Sequence, residues 1–242
     1  MSAAVAVLVI LLLNMFGSPF VGSRTSGDIV LPGDSDEKID VALTDEAPNL
    51  ELLQSVTVGK DNIKKVVAAL SRPDRYHISA NSTIYYSTGQ STATAESYVD
   101  GERSHTIRYR GDTPQSHALI SGGQVYLWEE GEPSYYKGNL GSFTEDDYVF
   151  IPTYERILSL PQSDILAADY SQYNEQYCIY VESRDSRSGY RVLYYISVDS
   201  GLLIGAQSFE NDLLVYAMSC DLLDMPEDVS DLFMLPDGTQ PE

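Results

Sequence analysis

Apolar and polar residues alternate along most of this chain. In the clearest run, Tyr76, Ile78, Ala80, Ile84 and Tyr86 alternate with polar side chains, which predicts a strand with one face towards water. Strand-like runs of the same kind occur at 91–100, 103–110, 115–121, 124–129, 175–183, 190–199, 202–210 and 213–221. Turn-forming glycine, aspartate, serine and asparagine residues separate many of these runs. The pattern predicts two antiparallel meanders.

Helical periodicity marks two shorter stretches. In the first, Asp61 can cap a helix whose apolar residues fall at i, i+3, i+4 and i+7, namely Ile63, Val66, Val67 and Leu70. The second stretch, 144–169, interrupts the strands, and we predict one or two short helices there, with Pro161 ending one of them. The prediction is therefore an α+β fold. Its antiparallel meander forms an incurved half-barrel, covered by an N-terminal helix and a short helical insertion.

The N-terminus carries an apolar segment long enough to cross a membrane. Residues 3–13 are apolar without interruption and the first charge is Arg24, so about 20 residues are available for a bilayer. We predict a transmembrane anchor; a cleaved signal peptide is the alternative, because polar residues weaken the second half and 21–23 offer small residues for cleavage. The remainder then lies outside the cytoplasm, on a single-pass anchor at the cell membrane or secreted. The missing basic residues leave open whether the chain starts further upstream.

Composition divides the chain into four parts. We predict the membrane segment at 1–22, an acidic flexible linker at 23–54, a β-rich domain at 55–221 and an acidic C-terminal tail at 222–242. The formal net charge is −21, and 221–242 alone holds seven acidic residues and no basic one. Because so acidic a chain repels phosphate backbones, we expect no nucleic-acid partner.

Residues suited to catalysis or metal binding are scarce. His77, His105 and His117 lie on predicted strands, without the spacing of a zinc motif, and we expect them to be surface residues. Gly33-Asp34-Ser35 is similar to the nucleophile block of a serine esterase, but no histidine follows His117 to activate that serine. We therefore expect no enzyme, no metal and no cofactor.

Two cysteines, Cys178 and Cys220, could pair in an oxidising compartment. The alternative is two free thiols on separate strands, because two further strands lie between them in a meander and a disulfide has a short reach.

Two short motifs accompany this order of elements. Residues 123–128, with the sequence GQVYLW, form a glycine turn before an aromatic strand, and 198–203, with the sequence VDSGLL, form a hairpin. On these motifs and the element order over 59–221, the chain resembles the LolA-like superfamily of bacterial extracytoplasmic proteins. That superfamily includes lipoprotein carriers, regulators of the RseB/MucB type and LppX-like lipid binders. The resemblance implies an incurved sheet around an apolar cavity, and binding rather than catalysis.

The functional hypothesis is a membrane-tethered extracytoplasmic module that binds or senses an apolar or amphiphilic ligand, such as a lipid, or a partner protein. The alternative is the outer half of an anti-sigma-like transmembrane regulator. Tyrosine joins apolar area to a polar tip, so a tyrosine-lined groove suits an amphiphile. The residues we expect in such a groove or in its cover are Tyr86, Tyr126, Trp128, Tyr154, Ile157 and Tyr195.

Overall fold

The computed structural model describes residues 56–140, 151–184 and 189–241. Within these residues eleven strands and two short α-helices form two compact units. Unit 1 contains the described residues of 73–152 and 213–241, and unit 2 contains those of 56–72 and 153–212. The predicted membrane segment and linker lie outside the described residues. No helix in the described part of the chain is long and apolar enough to span a membrane.

Unit 1 is an antiparallel sheet of seven strands. They are β1 (Arg75–Tyr86), β2 (Gly89–Asp100), β3 (Arg103–Arg110), β4 (Thr113–Ser121), β5 (Gln124–Glu129), β6 (Tyr136–Asn139) and β11 (Leu213–Leu223). Their order in the sheet is β6-β5-β4-β3-β2-β1-β11, so β1 to β6 follow one another as a meander and β11 pairs with β1. The meander predicted for 76–129 is confirmed.

Unit 2 joins four antiparallel strands to two short helices. The strands β7 (Ile165–Tyr173), β8 (Gln176–Arg184), β9 (Arg191–Ser197) and β10 (Leu203–Glu210) again follow chain order. The helices are α1 (Ile63–Ala69) and α2 (Glu155–Ser159), and a 3₁₀ turn covers Gln162–Asp164. The Lys64 Nζ donates to the Leu160 carbonyl over 2.7 Å, which links the two helices.

The apolar positions that predicted helix α1 are buried in the structure, as expected. Ile63, Val66 and Val67 are buried, and Leu70 is buried just beyond the helix. The predicted cap is wrong, because Asn62 and not Asp61 precedes the helix. The Asn62 side chain instead accepts a hydrogen bond from the Gly59 amide at 2.9 Å, so it stabilises the turn that leads into the helix.

Two strands were missed in the sequence. β6 has only four residues and includes a glycine, and β7 falls largely within the stretch predicted to be helical. In β7 the exposed Leu166 is followed by two alanines, so the period-two alternation of a half-buried strand is weak. The half-barrel shape and its helical cover stay predictions.

The segment assigned to an acidic tail packs against unit 1. Residues 224–241, which we call the C-terminal strap, contain a 3₁₀ turn at Asp231–Phe233. Phe233 and Leu235 are buried, with side-chain exposures of 1% and 5%. The strap is therefore part of the core of unit 1 although its composition is acidic.

Candidate functional site

All three histidines of the chain are buried on one face of unit 1, so the expectation of surface histidines is wrong. In the strand register His77 lies opposite Tyr98, Tyr98 opposite His105, and His105 opposite Leu119. Residues paired in this way point to the same side of a sheet. The face therefore continues across β1, β2, β3 and β4, and through Tyr126 into β5.

A bulge between β3 and β4 brings His105 and His117 together. Arg110 pairs with Thr113 and Tyr109 with Pro114, but Arg108 pairs with Ser116, so Gln115 is an extra residue. Because side chains alternate along a strand, one inserted residue moves all those beyond it to the other face. If the pairing of Arg110 with Thr113 continued through Gln115 without a bulge, His117 would lie opposite Thr106 and on the other face of the sheet from His105.

The two histidines form a hydrogen-bonded chain with a carboxylate. His105 Nε2 lies 3.1 Å from His117 Nδ1, and His117 Nε2 lies 2.6 Å from Glu130 Oε2. The carboxylate accepts, so His117 Nε2 donates to it. When both rings are neutral, His117 Nδ1 then accepts from His105 Nε2.

Trp128 covers the same pair. Its ring lies 4.9 Å from the His117 ring with 4° between their planes, and 5.3 Å from the His105 ring at 29°. His117 and Trp128 are direct partners across β4 and β5, which fixes the stack. We call His105, His117, Trp128 and Glu130 the histidine–tryptophan cluster.

Burial disfavours a charge on His105. Burial and, to a smaller extent, the neighbouring His117 lower the pKa of His105 from 6.5 to about 4, while a hydrogen bond to the Leu232 backbone acts in the opposite direction. His105 Nδ1 is itself buried and has no partner with hydrogen-bond geometry. A proton added to His105 would therefore occupy a poorly solvated site.

The C-terminal strap forms the cover of this cluster. Phe233 and Leu235 pack with Leu119, Tyr126 and Trp128 in one apolar group. The Arg103 guanidinium lies 4.6 Å above the Phe233 ring.

Arg75 also holds the strap near its start. Its Nη2 donates to the Pro226 and Glu227 carbonyls at 3.0 and 3.3 Å. Near the end of the strap, the Leu235 amide donates to the Thr239 carbonyl over 2.8 Å, which closes a turn within the strap itself.

A second polar group lies beside this cluster on the same face. The His77 and Tyr98 rings stack at 4.1 Å, and the Tyr98 hydroxyl donates to Glu96 Oε2 over 3.0 Å. Burial and this carboxylate raise the pKa of Tyr98 well above its usual value. Tyr98 is therefore a neutral donor at physiological pH.

Unit 2 presents a different aromatic surface, formed by Tyr173, Tyr180 and Tyr195 on neighbouring strands. The rings of Tyr173 and Tyr195 stack at 4.3 Å with 19° between planes, and that of Tyr180 lies 5.9 Å from the ring of Tyr195. All three side chains are half-buried. We call these three residues the tyrosine face.

A glycine makes the stack possible. A Cβ at Gly205 would come within 2.5 Å of the Tyr173 ring, so any larger residue would displace it. Gly205 lies opposite Tyr195, next to an irregularity in the pairing of β9 and β10. The Tyr173 ring therefore occupies the space above the glycine backbone.

Polar neighbours orient the other two rings. The Tyr180 hydroxyl donates to Glu182 Oε2 over 2.5 Å, and the Tyr195 hydroxyl donates to Gln207 Oε1 over 3.5 Å. Arg191 lies 3.5 Å from the Glu182 carboxylate. Burial and Glu182 raise the pKa of Tyr180, so its hydroxyl is protonated at neutral pH.

The six predicted site residues are divided between the two units. Tyr126 and Trp128 lie together beneath the strap, whereas the alternation along β1 places Tyr86 on the opposite face of unit 1. Tyr195 belongs to the tyrosine face of unit 2.

The two residues predicted as a cover also belong to unit 2. Ile157 on α2 is completely buried. The Tyr154 ring lies 3.5 Å beneath the Arg72 guanidinium, which itself donates to the carbonyls of Gly201, Leu70 and Val67. Tyr154 and Ile157 thus contribute to the packing of unit 2.

Both cysteines are free and buried, which corrects the disulfide expectation in favour of its alternative. Cys178 lies on β8 opposite Ser197. Cys220 lies on β11, where its Sγ is 3.2 Å from the Met218 Sδ. Among the described residues no group of three or more histidine, cysteine, aspartate or glutamate side chains could hold a metal.

Searches against protein-family models and against curated proteins return no match. Several solved structures are similar. LppX, a Mycobacterium tuberculosis lipoprotein, has a TM-score of 0.38 at 10% identity over 77% of this chain and 99% of its own. A chain of the Pseudomonas aeruginosa MucA/MucB complex has a TM-score of 0.39 and 13% sequence identity. The match covers 72% of this chain and 59% of that one. A LolA-superfamily protein from Nitrosomonas europaea has a TM-score of 0.31 and 10% sequence identity. The match covers 72% of this chain and 97% of that protein. The superfamily that the sequence resembles thus recurs among these structures, although at such TM-scores the likeness does not by itself establish a common fold or function.

Proposed function

We propose that this protein is an extracytoplasmic binding or sensing module, held at the membrane by its apolar N-terminal segment. It recognises an apolar or amphiphilic ligand or a partner protein through the tyrosine face. The observation that carries this proposal is the half-exposed stack of Tyr173 on Tyr195.

The chemistry of this face suits recognition. Tyrosine and arginine are among the residue types that most often dominate binding energy at interfaces, and Arg191 lies beside Tyr180 and Tyr195. Tyrosine also offers both a flat apolar surface and a hydroxyl, which matches an amphiphile.

The rings are already held in place before any ligand arrives. Glu182 and Gln207 bond two of the hydroxyls, and Gly205 leaves room for the third ring. Because less side-chain entropy is then lost on binding, such preorganisation favours affinity.

A binding role is favoured over a catalytic one. Burial raises the pKa of both Tyr180 and Tyr195, so neither hydroxyl supplies a phenolate nucleophile or base at neutral pH.

The test is native mass spectrometry of the full chain, purified from bacterial membranes in a non-ionic detergent and measured before and after organic extraction. We expect a bound amphiphile that disappears on extraction and in the double variant Tyr180→Ala, Tyr195→Ala. The control is Tyr136→Ala, which removes a 75%-exposed tyrosine of unit 1 and should leave the ligand in place.

If the wild-type chain carries no amphiphile and takes none up from phospholipid vesicles, amphiphile binding is wrong. Recognition of a partner protein is then tested with a photo-crosslinking residue placed at position 180 in living cells. A crosslink that Tyr195→Ala abolishes supports a protein partner, and the absence of any crosslink overturns the proposal.

A further inference from the structure

The strap and the histidine–tryptophan cluster together form an arrangement that the binding role of the tyrosine face does not explain. Two imidazoles are buried beneath a segment that lies at the surface of unit 1, and one of their nitrogens, His105 Nδ1, has no hydrogen-bond partner. A buried pair of this kind is stable only while it is neutral.

We propose that the C-terminal strap is a pH-responsive cover, which protonation of the His105–His117 pair releases from Leu119, Tyr126 and Trp128. This inference concerns unit 1 alone and does not depend on ligand binding at the tyrosine face.

The hydrogen-bond chain explains why an added proton is not tolerated. His117 Nδ1 can accept from His105 only while it carries no proton, and His117 Nε2 already donates to Glu130. A proton on His117 Nδ1 can be accepted by His105 Nε2 only if His105 moves its own proton to Nδ1, which is buried and has no partner with hydrogen-bond geometry. A proton on His105 would instead create a cation between Trp128 and the strap, away from water.

Movement of the strap can expose this buried charge to water. The strap has no strand pairing with the sheet, and it is held by the apolar contacts of Phe233 and Leu235 and by Arg75 and Arg103. Its release gives His105 access to water while the strand pairing of β3, β4 and β5 remains intact.

Other titratable groups share this environment. On the same face or on the strap are Arg75, Glu96, Tyr98, Asp100, Arg103, Tyr109, Lys137, Asp224, Glu227, Asp228, Asp231 and Asp237, in addition to His77 and Glu130. Hydrogen bonds from Ser230 and Thr239 lower the pKa values of Asp228 and Asp237 below 3.8, so these strap turns take up protons only in stronger acid.

The pH window follows from His105. Its pKa is about 4 beneath the strap and rises towards 6.5 when the ring is exposed, so acid favours release between these values. Full coupling would raise the ratio of released to docked strap by up to about 100-fold from neutral pH to pH 4.

The fluorescence of Trp128 reports release of the strap directly. Trp128 is the one tryptophan in the 242 residues, and it is 9% exposed beneath the strap. In the full chain in detergent, acrylamide quenching of its fluorescence should rise as pH falls from 7.5 to 4.2. The far-UV circular dichroism of the strands should stay constant over the same range.

Two variants identify the trigger. His105→Gln keeps a donor towards His117 and should abolish the response. His77 is the competing trigger, because its Nδ1 lies 3.4 Å from the Asp224 carbonyl at the start of the strap. If His77→Gln abolishes the response and His105→Gln does not, the assignment to His105 and His117 is wrong.

A measurement on the wild-type chain avoids any folding defect of the variants. With three histidines in the chain, imidazole proton resonances can be followed through the titration. If His105 gains a proton while Trp128 quenching stays constant, or if quenching does not change down to pH 4.2, the proposal is overturned.

Discussion

The rings of His117 and Trp128 are parallel within 4°, and their centroids are 4.9 Å apart. The two residues are partners across β4 and β5, and the stack lies under Phe233 and Leu235 of the strap. A polar group and an aromatic one thus share a layer of the unit 1 core, and the strap is needed to keep water from both.

Phe233→Ala tests how much of the stability of unit 1 comes from the strap. The side chain is 1% exposed, and loss of a buried phenylalanine typically costs about 3–5 kcal/mol. We expect a reduced free energy of unfolding in urea and a red-shifted Trp128 emission at neutral pH. Leu222→Ala, at a side chain that is 53% exposed, should change stability by less than about 0.5 kcal/mol. Equal effects of the two changes would contradict this account.

Acid should weaken unit 1 in a defined range. His105 has a folded pKa of about 4 against 6.5 when exposed, so the unfolded state takes up the proton first as pH falls. The free energy of unfolding should therefore decrease from pH 6.5 to pH 4 by up to roughly 3 kcal/mol, and His105 should contribute no pH dependence above that range. Urea titrations at several pH values measure this slope, which His105→Gln should reduce. An unchanged slope in the variant would exclude His105 as its source.

Gly205→Ala should disrupt the tyrosine face. The added Cβ would approach the Tyr173 ring to 2.5 Å, and overpacking of this kind costs about 1–3 kcal/mol. Tyr173→Ala should relieve the clash, so the double variant should be more stable than additivity predicts. A double-mutant cycle in urea measures this coupling, and strictly additive effects would show that the ring moves aside without cost.

Arg72→Lys should loosen α1. The guanidinium bonds three carbonyls and stacks on Tyr154, a combination that an ammonium group cannot reproduce. We expect a loss of about 1–3 kcal/mol and faster hydrogen exchange in the Ile63–Ala69 amides. Arg110→Lys, at an exposed residue of β3, is the matched control and should leave stability unchanged.

Both thiols should be inert in the native chain. Burial raises the pKa of Cys178 to about 11 and that of Cys220 to about 12, and the thiolate is the reactive form. Iodoacetamide at pH 8 should modify neither cysteine in the folded protein and both in urea, as read by mass spectrometry. Failure to modify either thiol in urea without reductant would instead indicate a disulfide.

The strands were predictable where one face is buried and the other is wet. In β11 the buried Tyr216, Met218 and Cys220 alternate with more exposed residues, and the sequence records that difference directly. The alternation is missing from β7. Its residues between Ile165 and Tyr173 are all at least partly exposed, so neither face of the strand requires apolar side chains throughout.

The candidate sites depend on register, which composition and spacing do not reveal. His105 and His117 meet because a single extra residue, Gln115, changes the pairing of β3 with β4. Pro114, which lacks an amide donor, is the one signal in the sequence of an irregularity at that point. The tyrosines were recognised as a group, but their division between two units follows from strand order.

Unit 1 is discontinuous along the chain, since β1 to β6 come from 75–139 whereas β11 and the strap come from 213–241. During synthesis the first six strands leave the ribosome while β1 still lacks its β11 partner and the Trp128 face is uncovered. All of the residues of β7 to β10 must be translated before either contact can form. The nascent chain thus exposes an aromatic surface for the time that about 75 residues take to be added, at roughly 5–20 residues per second. This interval is when chaperones would find a binding surface that the finished protein no longer offers.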